Sequence, residues 1–108
     1  MHVTTAETEV LAALWRRGPM SARQLLEEVK SGQKWGDATI KTLLNRLLHK
    51  GAIRSEQTPE RHQYRAVLER EAFVAGEVQA LVDRLFEGRP ELLLAYLSGK
   101  ASSGDGAS

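Results

Sequence analysis

The chain has 108 residues, a formal net charge of +1 at pH 7 and 42% hydrophobic residues, which predicts one small domain with a modest core. It contains no cysteine, so disulfides, zinc fingers and thiol chemistry are excluded. No apolar run approaches the roughly 18 residues that a membrane span needs, and the first ten residues lack the pattern of a secretory signal. We therefore expect a cytoplasmic protein.

The charge is unevenly distributed along the chain. Residues 32–65 carry seven basic and three acidic side chains, whereas residues 66–108 carry four basic and seven acidic ones. A localised basic segment indicates nucleic-acid binding better than the total charge does.

Two helices are predicted in the first third of the chain. A Thr-x-x-Glu pattern at residues 4–7 and a Ser-x-x-Gln pattern at residues 21–24 both fit capping boxes. They predict helices over about residues 5–17 and 22–30.

A third helix is predicted over residues 37–50, with Gly36 or Asp37 as its N-cap and Gly51 as its C-cap. Its apolar residues recur at i, i+3, i+4, i+7 and i+8 and form one stripe: Ile40, Leu43, Leu44, Leu47 and Leu48. The opposite face has hydrogen-bonding and basic side chains and no carboxylate: Thr39, Lys41, Thr42, Asn45, Arg46 and His49. A solvated helix face usually mixes both signs of charge, so this face suits a polyanion.

Two short antiparallel strands are predicted at residues 52–57 and 62–67, joined by a turn with Thr58-Pro59. The whole order predicts a mainly α protein with a small β-hairpin, a winged helix-turn-helix whose third helix enters the major groove of DNA. The candidate DNA-binding residues are Thr39, Lys41, Thr42, Asn45 and Arg46 on the helix and Arg54, Arg61 and Arg65 on the wing.

The last third of the chain predicts a long helix over residues 69–87 with a heptad-like seam, then a short helix over 91–97 that is apolar nearly all round. We predict residues 1–68 to be the DNA-binding domain, 69–97 a helical dimerisation region and 98–108 a disordered tail. The candidate dimerisation residues are Val74, Val78, Leu81, Leu85, Leu92, Leu93 and Tyr96. The alternative is that these helices fold back on their own domain.

Several segments resemble one known family. They are Thr-Ala-Glu-x-Glu-Val at 5–10, Leu14-Trp15, Thr-Ile-Lys-Thr-Leu-Leu-x-Arg-Leu at 39–47, and Lys50-Gly51. In this order and spacing the chain, from about residue 4 to residue 97, resembles the BlaI/MecI family, the penicillinase and methicillin-resistance repressors of bacteria.

The resemblance implies a dimeric winged-helix repressor of β-lactam-resistance-type genes that binds a palindromic operator of TACA…TGTA type. It also implies a sensor protease as a partner. The matches to the DNA-facing positions of the family are Thr39, Lys41, Thr42 and Arg46.

The chain departs from the family in its proposed DNA-binding helix and at the cleaved bond, among other places. Gly36-Asp37-Ala38 stands where members often have Ser-Pro-Lys, so Ala38 lacks a basic contact and Asp37 brings a negative charge near the expected phosphate. Ala95-Tyr96 aligns with the Asn-Phe pair at which members are cleaved.

The sequence does not favour an enzyme. It has no glycine-rich phosphate loop, no metal-ligand spacing and no nucleophile constellation, and His2, His49 and His62 have no regular spacing. We expect no enzymatic activity, cofactor or metal. The alternative function is a winged helix that binds a protein instead of DNA, but the absence of acids from residues 39–46 favours DNA.

Overall fold

A computed structural model describes residues 2–103 of the chain, with side chains described for residues 2–99. Within this range it has five helices and two strands: α1 (Thr5–Arg17), α2 (Ala22–Lys30), α3 (Asp37–Lys50), β1 (Ile53–Gln57), β2 (His62–Ala66), α4 (Arg70–Leu85) and α5 (Pro90–Ser103). The predicted fold class, a mainly α winged helix-turn-helix with a small hairpin, is confirmed. The chain divides into two compact units, a first that ends at Arg70 and a second that begins at Glu71.

Both predicted capping boxes are present. Thr4 Oγ1 accepts a hydrogen bond from the Glu7 N–H at 3.1 Å, and Glu7 Oε1 accepts one from the Thr4 N–H at 2.8 Å. Ser21 and Gln24 form the same reciprocal pair, at 3.2 and 3.0 Å. Each box pairs backbone N–H groups that the first helical turn leaves without partners, which is worth about 1 kcal/mol per cap.

The third helix begins after Gly36, whose lack of a side chain leaves the helix without a side-chain cap. It ends at Lys50, and Gly51 follows as its C-cap with φ 78°. This left-handed conformation is strained for other residues, and it directs the chain straight into β1.

The core of the first unit is built around the apolar stripe of α3. Four of the five predicted stripe residues are buried, and Leu48 is half-buried. They pack with buried residues of α1, α2 and the base of the hairpin: Val10, Leu11, Leu14, Leu25, Val29 and Ile53. Burial of each large aliphatic side chain contributes about 1.5–3 kcal/mol, so this core fixes which face of α3 points outward.

The hairpin pairs Ile53 with Ala66 and Arg54 with Arg65, and residues 58–61 form its turn. The turn is closed by the Thr58 N–H, which donates to the Arg61 carbonyl at 2.7 Å. Both strands lie within the predicted segments.

A backbone bridge that the sequence did not predict joins the wing to the helix-turn-helix. The Met20 N–H donates to the Tyr64 carbonyl at 3.1 Å, and the Tyr64 N–H donates to the Met20 carbonyl at 2.7 Å. Met20 is buried two residues before α2, so β2 is fixed close to the start of that helix.

In the second unit, one prediction needs correction. The short helix predicted over 91–97 extends further in the structure, from Pro90 to Ser103, and so includes residues 98–103 of the predicted tail. Pro90 is well suited to the first helical position. Gly99 lowers helix stability by only about 1 kcal/mol, which is not enough to end the helix there. The rest of the predicted tail, residues 104–108, lies outside the described residues.

Candidate nucleic-acid interface

The outer face of α3 presents the predicted side chains together. Because the apolar stripe points into the core, all five predicted helix residues are exposed: Thr39, Lys41, Thr42, Asn45 and Arg46. Three of them line an open depression with two further residues, and its lining is Thr42, Asn45, Arg46, His49 and Lys50.

Two basic side chains on this face are available to a ligand. Lys41 and Arg46 form no ion pair with another residue in the part of the chain that the structure describes. Thr42 differs, because its hydroxyl donates to the Ala38 carbonyl at 2.9 Å. Thr42 therefore offers a methyl group and an oxygen that accepts hydrogen bonds.

The negative charge at the start of α3 is balanced from within the domain. Asp37 forms an ion pair with Lys30, in the last turn of α2. The hydrogen bond and the charge of Lys30 lower the pKa of Asp37, and the charge of Lys41 lowers it further. Asp37 also lies in the first turn of the helix, where a carboxylate is favoured by the helix dipole. It is therefore not an unopposed charge beside the candidate interface.

At the other end of α3, Lys50 is held by a structural contact. Its Nζ donates to Glu7 Oε1 and, at 2.7 Å, to the His2 carbonyl. Glu7 is completely buried. Burial alone would raise the pKa of its carboxyl, but the hydrogen bond from Lys50 and those from Thr4 outweigh it, so the pKa is lowered. Lys50 thus anchors α3 to α1.

The three predicted wing arginines differ in their partners. Arg54 Nε and Nη2 donate to Glu56 Oε2 at 3.2 and 2.9 Å, and Arg65 Nε donates to Glu56 Oε1 at 3.0 Å. Arg61, in the turn, is exposed and forms no ion pair with a described residue. Glu56 is not among the residues predicted from the sequence, although its position two residues after Arg54 on a predicted strand places both on one face.

The wing and the start of α2 border a second depression. It lies beside the Met20–Tyr64 bridge, and its lining is Ser21, Gln24, Arg61, His62 and Gln63. Arg61 is therefore exposed to solvent and also borders the depression beside the first turn of α2.

The candidate dimerisation residues lie in the second unit and differ in exposure. Val74, Val78, Leu85 and Tyr96 are exposed, whereas Leu81, Leu92 and Leu93 are half-buried. Two residues outside the predicted set, Leu94 and Leu97, are 65% and 52% exposed. The apolar pattern on nearly all sides of residues 92–97 is the sequence feature that could have predicted these two exposed residues.

The described residues form neither a candidate metal site nor a candidate membrane span. No group of three or more histidine, cysteine, aspartate or glutamate side chains there is arranged to hold a metal ion. None of the helices described has the length and hydropathy to cross a bilayer.

A helix-turn-helix followed by a two-stranded wing defines the class of winged-helix proteins. Residues 3–106 of the chain match the protein family described as "Penicillinase repressor". The chain belongs to this family of transcriptional repressors, and the resemblance to the BlaI/MecI repressors is confirmed.

The relatives are distant. The chain is 32% identical over 84 residues to the "Uncharacterized 16.5 kDa protein in ptsI 3'region" of Latilactobacillus sakei, covering 78% of this chain and 58% of that protein, which is less than two thirds of its length. It is 27% identical over 87 residues to the "Methicillin resistance regulatory protein MecI" of Staphylococcus aureus (strain N315), covering 81% and 71% of the two chains. It is 22% identical over 105 residues to the "Penicillinase repressor" of Bacillus licheniformis, covering 96% and 82%.

Proposed function

We propose that this protein is a dimeric transcriptional repressor that occupies a palindromic DNA operator through α3 and the wing, residues 54–65. The observation that carries the proposal is the outer face of α3. It is exposed, has no acid from residue 39 to residue 49, and presents Lys41 and Arg46 without an ion-pair partner in the described chain.

The chemistry of this face fits the major groove. Lysine and arginine donate to the O6 and N7 atoms of guanine, asparagine pairs with adenine, and a threonine methyl group packs against the methyl group of thymine. Thr42 is exposed, so its methyl group is available for that contact, whereas its hydroxyl proton is donated to the Ala38 carbonyl. Each good base contact discriminates by about 1–3 kcal/mol.

On the wing, we assign Arg61 to a phosphate as an arginine that no carboxylate partner restrains. It is exposed in the hairpin turn and has no carboxylate partner among the described residues. Phosphate contacts fix the register of a protein on DNA, and base contacts select the sequence.

The proposed dimer uses the exposed apolar side chains of α4 and α5. Val74, Val78 and Leu85 recur on one side of α4 at spacings of four and seven, as a helix-pairing seam requires. A two-fold dimer would place its two α3 helices in successive major grooves, about 34 Å apart.

The names of the relatives support a further part of the proposal, which is that this chain controls β-lactam-resistance-type genes. A sensor protease as a partner is proposed only from the family resemblance. The aligned cleavage pair, Ala95-Tyr96, is exposed but lies within α5. Because a protease binds its substrate in an extended form, cleavage here would require local unwinding of that helix.

The test is fluorescence anisotropy of a labelled TACA…TGTA palindrome against a scrambled duplex, at several salt concentrations. Tighter binding to the palindrome, with a steep decrease in affinity as salt increases, is the expected result because counterions are released from the DNA. Equal binding to both duplexes would reject this operator and retain DNA as the partner. No binding to either would reject the proposal in favour of a winged helix that binds a protein.

A further inference from the structure

The outward face of the hairpin contains two arginines at directly opposed positions. Arg54 pairs with Arg65 across the strands, and like charges at such positions repel each other. Ile53, one residue before Arg54, is buried. Because side chains alternate along a strand, Arg54 and its partner point away from the core.

Glu56 shares this outward face and contacts both arginines. It lies two residues after Arg54, and its cross-strand partner Gln63 lies two residues before Arg65. Each of its two oxygens accepts a hydrogen bond from one guanidinium group. Oε2 accepts from Arg54 at 2.9 Å, and Oε1 accepts from Arg65 at 3.0 Å. The hydrogen bond from Arg65 lowers the pKa of Glu56, and the hydrogen bond from Arg54 lowers it by a smaller amount. The carboxylate is therefore ionised at neutral pH.

We propose that Glu56 determines specificity, as an internal counter-ion that limits the outward face of the wing to about one net positive charge. This inference rests on the proposed function. With Glu56 in place, Arg54 and Arg65 together neutralise about one phosphate of bound DNA instead of two.

The consequence for specificity follows from the origin of nonspecific affinity. Binding to arbitrary DNA comes almost entirely from neutralised phosphates, whereas discrimination comes from base contacts. An arginine that already has a carboxylate partner must leave it, or share it, in order to contact a phosphate. Glu56 therefore weakens the phosphate contacts of the wing, which are the same for every DNA sequence. The contribution of α3 to DNA affinity is unchanged.

The experiment compares Glu56→Gln with Glu60→Gln. Glu60 lies in the turn of the same wing and has no ion-pair partner among the described residues, so its replacement removes the same charge without releasing an arginine. The slope of log K against log salt concentration is measured for the palindrome and for the scrambled duplex.

We expect Glu56→Gln to steepen the slope by about 0.9, the value for one additional phosphate, and to lower the ratio of palindrome to scrambled affinity. Glu60→Gln should leave the slope unchanged. An unchanged slope in Glu56→Gln, or an equal increase in both variants, overturns the role of Glu56. Absence of binding by the wild-type chain would instead overturn the proposed function, so the two failures are distinguishable.

A double variant covers the case in which Glu56→Gln does not fold because its arginines repel each other. Arg54→Gln together with Glu56→Gln removes both the carboxylate and the repulsion, and leaves Arg65 with one free charge. Its slope should equal that of the wild type, whereas Arg54→Gln alone should be shallower by about 0.9. Equal slopes in these two variants would show that Glu56 does not act as the counter-ion.

Discussion

Glu7 is a completely buried carboxylate at the third position of α1, and within the described chain Lys50 is its charged partner. Its second oxygen, Oε2, is buried without a hydrogen bond in the described structure. Lys50 keeps 30% of its side chain exposed, so the two members of the pair differ in how well water can replace the missing partner.

This difference predicts unequal effects of two substitutions on stability at pH 7. Glu7→Gln leaves Lys50 able to reach water and should lower the free energy of unfolding by about 1–3 kcal/mol. Lys50→Met leaves a buried carboxylate unpaired and should lower it by about 3–5 kcal/mol. Urea denaturation of both variants measures these values, and equal losses would contradict the assignment.

The pH dependence of the same variants has a definite sign. In the wild type the pKa of Glu7 is lowered, so its contribution to stability is complete above the unfolded-state pKa and is lost as pH falls through the folded-state pKa. Lys50→Met removes the strongest of the contacts that lower this pKa, and burial, the largest single influence on the carboxyl, then raises the pKa against the remaining hydrogen bonds from Thr4. Protonation then accompanies folding, and the deficit relative to wild type should shrink between pH 7 and pH 5. A constant deficit would reject this explanation.

At the residue scale, local pairs could be predicted from the sequence and distant ones could not. Thr4 and Glu7 are three residues apart, and their capping box follows from helix geometry. Lys50 and Glu7 are 43 residues apart, and Glu56 meets Arg65 only through the register of the hairpin. Such contacts depend on tertiary packing, for which the spacing of residues gives no direct signal.

At the scale of the element, α3 predicts a separation between DNA binding and stability. Lys41→Ala and Arg46→Ala remove exposed side chains without ion-pair partners in the described structure, so both variants should fold as the wild type does. Each should lower operator affinity by about 1–3 kcal/mol if it contacts a base, or make the salt slope shallower by about 1 if it contacts a phosphate.

Arg16→Ala is the matched control for this pair. It removes the same charge from α1, where Arg16 is exposed and already paired with Glu28. Anisotropy titrations and thermal melts of the three variants compare the effects. Wild-type affinity in both α3 variants would reject the assignment of α3 as the DNA-contacting helix.

Elements with a strong internal pattern were predicted well. The stripe of α3 recurs at helical spacing and is buried as expected, except for the half-buried Leu48. Two features had no such pattern. The end of α5 contains small residues that are compatible with either a helix or a disordered tail, and the Met20–Tyr64 bridge is formed by backbone groups, which every sequence has.

At the scale of the whole molecule, the proposed dimer predicts the effect of a single charge on α4. Leu85 is 60% exposed in the single chain, so Leu85→Asp should leave the protomer folded and place a charge in the proposed seam. Sedimentation equilibrium should show a shift from dimer to monomer, and operator affinity should fall because a monomer holds one half-site.

Ala80→Asp is the control for this substitution. Ala80 is also exposed on α4, but helical spacing places it about a third of a turn from the seam. This variant should remain dimeric. A dimeric Leu85→Asp protein would show that the seam is not the dimer contact.

The two faces of α3 have a consequence for how such a repressor diversifies. Residues that hold the domain together occupy one side of the helix, and residues assigned to the operator occupy the other. Substitutions at the second set change little in the folded state, because exposed positions contribute little to stability. After gene duplication, one copy is therefore free to acquire a new set of target promoters in single steps, and no compensating change in the interior is required.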